Sequence, residues 1–326
     1  MPLIHPVDLS RLLKETNIKE TNSQNLQLDI FRGDLEHEEA PGNKWHKLQH
    51  HLKAAKQQGA KAIATFGGPF SNHLHAFSST LKGSGLKTLA VVRGELQPQL
   101  NTTLNAVIAN GVELWPSSRR DYKLAMDAEV VRTINRLYEN VYWIPEGGGG
   151  ELGALGCMEW AENIHRLDSQ YDAWVVSSGT GTTAAGLLAY EATPTLHVIS
   201  ALKGAEAQKV EILKLAEEIA QKNYFHRESV EGSIINKLAD KLFFYSDKHH
   251  GGYAKHSNEL TEFMKEYAED NFYAPLDPVY TCKSMYFIIS AMKQGVWPYS
   301  RTLFIHTGGI QGWGGYSNDK NPFLSA

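Results

Sequence analysis

Short apolar runs bounded by glycine or polar residues recur along the chain, and each is followed by a stretch of helical spacing. The runs at 62–66, 88–92, 112–115, 141–144, 173–176, 196–199, 241–245 and 303–305 read as buried strands. Residues 44–58, 71–81, 122–137 and 182–190 instead repeat their apolar positions at intervals of three and four, as helices do. Strand alternating with helix predicts an α/β fold with mostly parallel sheet, crossover helices on both faces, and ligands at the carboxyl ends of strands. The run Glu146-Gly147-Gly148-Gly149-Gly150-Glu151 follows a strand and reads as the most flexible joint of the chain. It divides a first unit, residues 44–150, from a second. Residues 206–240 are charged with a helical pattern, ordinary surface structure, and no internal repeat or low-complexity tail is evident.

Composition narrows the function classes. The 326 residues are 42% hydrophobic and 21% charged, with a net charge of −4, which gives no footprint for nucleic acid and no polybasic membrane patch. Two cysteines, Cys157 and Cys282, are too few for a disulfide framework and fit a reducing compartment. The first residues lack the basic-then-apolar pattern of a signal peptide, and no apolar run is long enough to span a bilayer. The glycosylation-like triplet Asn101-Thr102-Thr103 is therefore read as chance. The expectation is a cytoplasmic protein.

The helix predicted from residue 44 has an odd charge pattern. Trp45, Leu48, Leu52 and Ala55 form its apolar face, Asn43 is placed to cap it, and Gly59 lies just past its end. Lys44, Lys47 and His51 fall on one stripe beside that face, and the first turns contain no acid. Cations at the positive pole of a helix cost about 0.3–1 kcal/mol each when exposed. Either the stripe is an ordinary solvated basic face, or an anion sits there, or one lysine amine is condensed with a carbonyl. The last two together describe a phosphate-bearing aldehyde.

Residues 173–190, AWVVSSGTGTTAAGLLAY, join a buried strand to a helix of small residues through Ser177-Ser178-Gly179-Thr180-Gly181-Thr182-Thr183. Glycines free the backbone to turn its N–H groups on a phosphate at a helix N-terminus. The dinucleotide pattern is matched locally, but the next strand runs into Ser200-Ala201-Leu202-Lys203 without the acid that would hold a ribose, and the Walker pattern lacks its lysine. A cradle for one phosphate monoester remains, with Lys47 as a candidate cation. Another strand ends in Gly67-Gly68-Pro69-Phe70-Ser71-Asn72-His73, where Ser71 can cap a helix whose amides hold a carboxylate. Tyr280 with Thr281, and His306 with Thr307, sit at further element ends, as caps or as partners of a planar heteroaromatic ring. His46, His50 and His51 lack a third metal ligand at suitable spacing, so no metal is expected.

Taken in order, GNKWHKL at 42–48, SNH at 71–73, LGALG at 152–156, the loop at 178–183, LDPVYT at 276–281 and HTGG at 306–309 resemble pyridoxal-phosphate enzymes of the tryptophan-synthase-β type. More narrowly, they resemble the family of D-cysteine desulfhydrase and 1-aminocyclopropane-1-carboxylate deaminase, and the likeness spans nearly the whole chain. The resemblance implies two doubly wound, mostly parallel open sheets with pyridoxal 5'-phosphate between the domains. Residues 1–43 plus 151–326 would form the large cofactor-binding domain and 44–150 the small one. It implies that Lys44 carries the cofactor as an imine, that Lys47 and Ser178, Gly179, Thr180, Gly181, Thr182 and Thr183 hold its phosphate, and that Asn72 bonds its phenolic oxygen. Thr281 or Thr307 would face the pyridine nitrogen. Ser71, Asn72 and His73 would bind the substrate, and Tyr253 and Tyr280 would join Lys44 and Ser71 in catalysis. Homodimers are also implied, with a small amino acid as the only partner.

Deaminases of this kind resemble one another in carrying Glu after the LDPVY tyrosine and Leu before the closing Gly-Gly; this chain has Thr281 and Thr307. A carboxylate would keep the pyridine nitrogen protonated, whereas a hydroxyl favours a neutral ring, sufficient when a good leaving group sits on Cβ. The expected reaction is therefore β-elimination, as in conversion of D-cysteine to pyruvate, sulfide and ammonia. Deamination of 1-aminocyclopropane-1-carboxylate, a nicotinamide-dependent dehydrogenase and a non-catalytic binding protein are the alternatives. The chain also departs from the family pattern. Pro41 precedes GNK in place of glycine, His46 stands where arginine is usual, FRGD at 31–34 replaces a longer acidic motif, and Phe70 replaces a glutamine, removing a donor from the expected carboxylate pocket.

Overall fold

A computed structural model describes residues 2–14, 26–223 and 234–324. Ten strands lie within them: β1 (Ile4–Pro6), β2 (Gln27–Phe31), β3 (Ala62–Gly67), β4 (Lys87–Arg93), β5 (Glu113–Ser117), β6 (Val141–Ile144), β7 (Ala173–Ser178), β8 (Thr195–Ser200), β9 (Leu242–Tyr245) and β10 (Arg301–Ile305). One sheet has the order β5-β4-β3-β6 and is parallel throughout. The other runs β1-β2-β10-β7-β8-β9, with only the edge strand β1 antiparallel. The mostly parallel pairing expected from the alternation, and the two open sheets implied by the resemblance, are present. Eight strands follow the predicted runs to within two residues at either end. β1 and β2 were not foreseen. β2 is placed by β10, a partner far along the chain, so its pairing leaves little local signal.

Both faces of each sheet are covered, which explains why the strands read as continuous apolar runs rather than alternating ones. In β7, Trp174 and Val176 enter one core cluster and Ala173 and Val175 the other. In β4, Ala90 and Val92 face one way, Leu89 and Val91 the opposite way.

The helices are α1 (Asn43–Gln57), α2 (Asn72–Leu81), α3 (Thr102–Ala109), α4 (Arg119–Tyr122), α5 (Glu129–Leu137), α6 (Gly150–Leu167), α7 (Thr182–Ala189), α8 (Gln208–Asn223), α9 (Ile234–Lys241), α10 (Asn258–Asn271) and α11 (Thr281–Lys293). The helix predicted over 122–137 is broken. The Asp121 carboxylate accepts from the amides of Glu129 and Val130, capping α5 as a new start, and Ala125 takes a left-handed φ of 47° between the pieces. The glycine run at 147–150 is not a loose joint either. Gly147 and Gly148 are buried, and added methyl groups there would meet Thr180 and the Lys47 Cβ respectively. Among the described residues, no helix is long and apolar enough to cross a membrane.

Helix α6 sets the position of the lysine helix. Gly156 lets it approach α1 so closely that a Cβ would lie 1.8 Å from the His46 carbonyl oxygen, and Gly186 of α7 likewise nests against the Ala154 carbonyl at 2.2 Å. Small residues thus bring α1, α6 and α7 together under the ends of both sheets.

Candidate active site

A cavity of about 440 Å³ opens where strand carboxyl ends of both sheets meet. Three of its walls come from the motifs already singled out. On the first, Gly42 rather than Asn43 precedes α1, with φ 75° and no room for a side chain, since a Cβ would sit 2.1 Å from the Thr307 carbonyl oxygen. Asn43 is already helical. Its amide nitrogen donates to Thr183 Oγ1 at 2.8 Å, and its oxygen accepts from Lys44 Nζ at 2.7 Å, so it bridges α1 to α7 instead of capping. Lys44 and Lys47 both line the cavity, and Lys47 Nζ reaches Thr180 Oγ1 at 3.5 Å. His51 turns inward beneath them, bonded to Tyr142 Oη and to the Gly149 carbonyl. Trp45, placed on the apolar face by its spacing, is half-buried and stacks on His37.

The second wall is the glycine loop after β7. Gly181 adopts φ 81° and starts α7, where a Cβ would press on Ile212 at 3.0 Å. Gln208 staples the loop: its oxygen accepts from Ser178 Oγ at 2.8 Å, and its nitrogen donates to the Gly179 carbonyl at 2.6 Å. Ser178, Gly179, Thr180, Gly181 and Thr183 line the cavity. Thr182 is outside its lining, with Oγ1 3.3 Å from that of Thr180.

The third wall is the turn before α2. Ser71 caps that helix, accepting from the Leu74 amide, and Asn72 Oδ1 accepts from Gln311. His73 is buried. Thr65 Oγ1 donates to the Ile144 carbonyl and lies 2.7 Å from His73 Nε2, so the hydroxyl accepts and Nε2 carries the proton. Nδ1 is left as a buried acceptor without a partner among the described residues. Burial, then the charges of Lys44 and Lys47, hold His73 well below the usual histidine range, so the ring stays neutral.

Thr281 and Thr307 part company. Thr281 is fully buried: its hydroxyl donates to Asp277 Oδ2 at 2.6 Å and accepts from the Asp277 amide at 2.7 Å. It is absent from the cavity lining. Asp277 also accepts from the amides of Val279, Tyr280 and Thr281, ordering the turn that presents Tyr280. Thr307 does line the cavity, as do Tyr280 and Tyr253, whose rings meet edge-on at 6.1 Å. Sequence reasoning missed Gln208 and Asp277, which act through partners, and Arg93 and Glu146, which stand in the wall itself. The last two end or follow strands β4 and β6, a position that could have singled them out.

Electrostatically the site is short of anions. Lys44 is pushed down from 10.5 to about 7, first by burial and then by Lys47, and burial lowers Lys47 as well. Neither amine has a carboxylate within ion-pair distance among the described residues. A buried Lys47 beside a half-buried Lys44, next to the glycine-loop helix N-terminus, fits a phosphate ester, and a half-neutral amine fits a carbonyl partner. At pH 7 about half of Lys44 is unprotonated, against roughly one part in 2,500 for a lysine at the reference value. An amine-selective reagent at neutral pH should therefore label Lys44 faster than surface lysines, with the rate levelling off above pH 7 while theirs keeps rising. Peptide mapping of the label against pH checks this; uniform labelling would contradict the depressed amine.

No family model matches the chain. A putative 1-aminocyclopropane-1-carboxylate deaminase of Pyrococcus furiosus is 30% identical over 306 residues, covering 91% of this chain and 89% of its own. The chain belongs to the family of 1-aminocyclopropane-1-carboxylate deaminase and D-cysteine desulfhydrase. An Arabidopsis thaliana protein described as a bifunctional D-cysteine desulfhydrase/1-aminocyclopropane-1-carboxylate deaminase is 28% identical, over 88% of this chain and 73% of its own. A crystal structure of an ACC deaminase homologue superimposes with a TM-score of 0.76 at 26% identity, over 98% of this chain and 93% of that one. Members of the family are pyridoxal-phosphate-dependent lyases of one α/β fold type, and this chain is an enzyme of that family. Its dinucleotide-like loop pattern does not make it a dehydrogenase.

Proposed function

We propose that this chain uses pyridoxal 5'-phosphate, held at Lys44, to eliminate the β-substituent of a small amino acid and release an α-keto acid and ammonia. The carrying observation is the pairing of a half-neutral Lys44 with a buried Lys47 and the glycine loop around one cavity. Lys47 and the loop from Ser178 to Thr183 would hold the phosphate, and Asn72 the ring oxygen. Ser71 and the amides that open α2 would take the substrate carboxylate. When bound, the cofactor supplies an electron sink for the pair released at the substrate Cα.

The chain's own groups then divide the proton work. Lys44, neutral for much of the time at pH 7, is suited to remove the Cα proton. Tyr280 is raised well above the usual tyrosine range by burial and by Tyr253, so it remains a phenol and donates rather than acting as base. His73, fixed as the Nε2–H tautomer and kept neutral by burial, adds no third charge beside the lysines. As the proton leaves, the Cβ–S bond breaks and sulfur departs with the electron pair; water then releases ammonia and pyruvate. Thr307, the cavity-lining member of the two threonines, supports the elimination reading through a neutral pyridine ring.

The second reading, opening of 1-aminocyclopropane-1-carboxylate, is favoured by the P. furiosus relative's description. Incubating the reconstituted protein with D-cysteine and with the cyclopropane amino acid, and assaying sulfide and 2-oxobutyrate, separates them; turnover of neither refutes both. The same proposal divides the chain into domains at 44–150 and the remainder, one sheet in each, and takes it as a cytoplasmic homodimer. Two buried free thiols support a reducing setting, and the family resemblance supports the dimer.

A further inference from the structure

The cavity contains one charged pair that the reaction above does not use. Arg93, the last residue of β4, and Glu146, just beyond β6, both stand in its wall and are largely exposed to it. Among the described residues they do not form an ion pair: no nitrogen–oxygen contact within 4.0 Å joins them, and neither meets another charged side chain within that distance. The guanidinium is nonetheless positioned. It lies 5.7 Å over the ring of Tyr122, itself buried edge-on against Phe66, and one of its nitrogens stands 3.2 Å from where a Gly68 Cβ would be. The Glu146 carboxylate acts on the same Tyr122 phenol both by its charge and as a hydrogen-bond acceptor, and both charges act on Tyr253. Lys44 instead feels Lys47, Cys157 and Asp277. Arg93 and Glu146 thus both lie at the tyrosine side of the cavity, and neither is among the charges that act on Lys44.

A guanidinium and a carboxylate in one cavity wall, unpaired with each other, are complementary to a zwitterion: its carboxylate accepts from Arg93 while its ammonium donates to Glu146. Cysteine and the cyclopropane amino acid bring no charge beyond the α-amino-carboxylate end that the Ser71 turn and Lys44 would receive. We propose that the cavity selects a cysteine thioether whose sulfur substituent ends in a second amino-carboxylate head, bound between Arg93 and Glu146. This deepens the lyase reading and rests on it. The chemistry balances without a further reagent: the Cα proton passes to the base, the Cβ–S bond breaks, and sulfur leaves with the electron pair as the thiol of the second amino acid. Pyruvate and ammonia follow by hydrolysis.

The test compares three thioethers on the reconstituted protein: S-methylcysteine (neutral substituent), S-carboxymethylcysteine (anion only) and meso-lanthionine (zwitterionic head). Arg93→Gln should lower kcat/KM for pyruvate release by about tenfold or more with lanthionine and S-carboxymethylcysteine, and Glu146→Gln should do so with lanthionine alone. Neither should alter S-methylcysteine by more than about twofold, within the scatter of surface substitutions. Calorimetric affinities of the same ligands for Lys44→Ala protein carrying each second substitution give the same ranking without turnover. Equal losses on all three ligands would assign Arg93 to the α-carboxylate, and no loss on any would leave the pair as surface charge; either result overturns the proposal. If no amino acid yields a keto acid, the lyase reading fails, and the affinities alone then decide the charge pair.

Discussion

Replacing Lys44 with alanine is expected to reduce turnover roughly ten-thousand-fold, the upper range for loss of a positioned acid–base group, and to abolish the visible absorbance of the cofactor-loaded protein. The fold should survive. The side chain lines a cavity rather than filling the core, and its hydrogen bond is to its neighbour Asn43. Stability against pH provides an independent readout. With Lys44 held at about 7 in the folded protein and near 10.4 once unfolded, the unfolded chain binds more protons between those values. Stability of the wild-type protein in its cofactor-free form should therefore gain a rising component from pH 7 towards pH 10 that the alanine variant lacks. Below pH 7 both states are protonated and the two slopes should coincide. Denaturant titrations at several pH values check the slope, and steady-state assays check the turnover. Full turnover in the variant would remove Lys44 from the chemistry, and parallel slopes would mean its amine is ordinary.

The second large effect comes from a residue that touches no ligand. Gly156→Ala places a methyl 1.8 Å from the His46 carbonyl oxygen and 2.8 Å from its carbon, both backbone atoms of α1. No rotamer change relieves such a contact, so α1 and α6 must separate. Overpacking of this kind costs about 1–3 kcal/mol and more when only backbone can move, and about 3 kcal/mol is expected here. The displaced helix is the one that carries Lys44 and Lys47, and a 1 Å misplacement of reacting groups costs about a hundredfold in rate. Gly59→Ala is the control: unlike Gly156 it has positive φ, at 63°, but nothing lies within 4 Å of the added methyl, so only the left-handed backbone penalty of about 1–2 kcal/mol applies. The unfolding midpoint and kcat should fall much further for Gly156→Ala than for the control. A midpoint no lower than that of Gly59→Ala would show that the helix contact tolerates a methyl group.

Other glycine contacts follow the same logic. Gly42 abuts the Thr307 carbonyl and Gly186 the Ala154 carbonyl, so the GNK, HTGG and LGALG motifs are joined through backbone approach as well as through side-chain chemistry. The site is held by the close passage of three main chains.

What the sequence determined by itself was local. Apolar runs and helical spacing gave eight of the strands and the helices that carry Lys44, Ser71 and Thr182, because those patterns repeat within a few residues. The glycine loop and the acid-free start of the lysine helix were legible for the same reason: backbone freedom and the helix dipole act over one turn. Tertiary structure alone decided which polar groups remain available. Asn43 was diverted from capping by Thr183, 140 positions away, and Lys47 met Thr180 across 133 positions. Thr281 was spent on Asp277, Ser178 on Gln208, and Arg93 and Glu146 were brought to one cavity unpaired. Hydrogen bonds and ion pairs are satisfied by whatever the fold brings near, so a residue's chemistry can be read from its type, but its freedom to use that chemistry cannot.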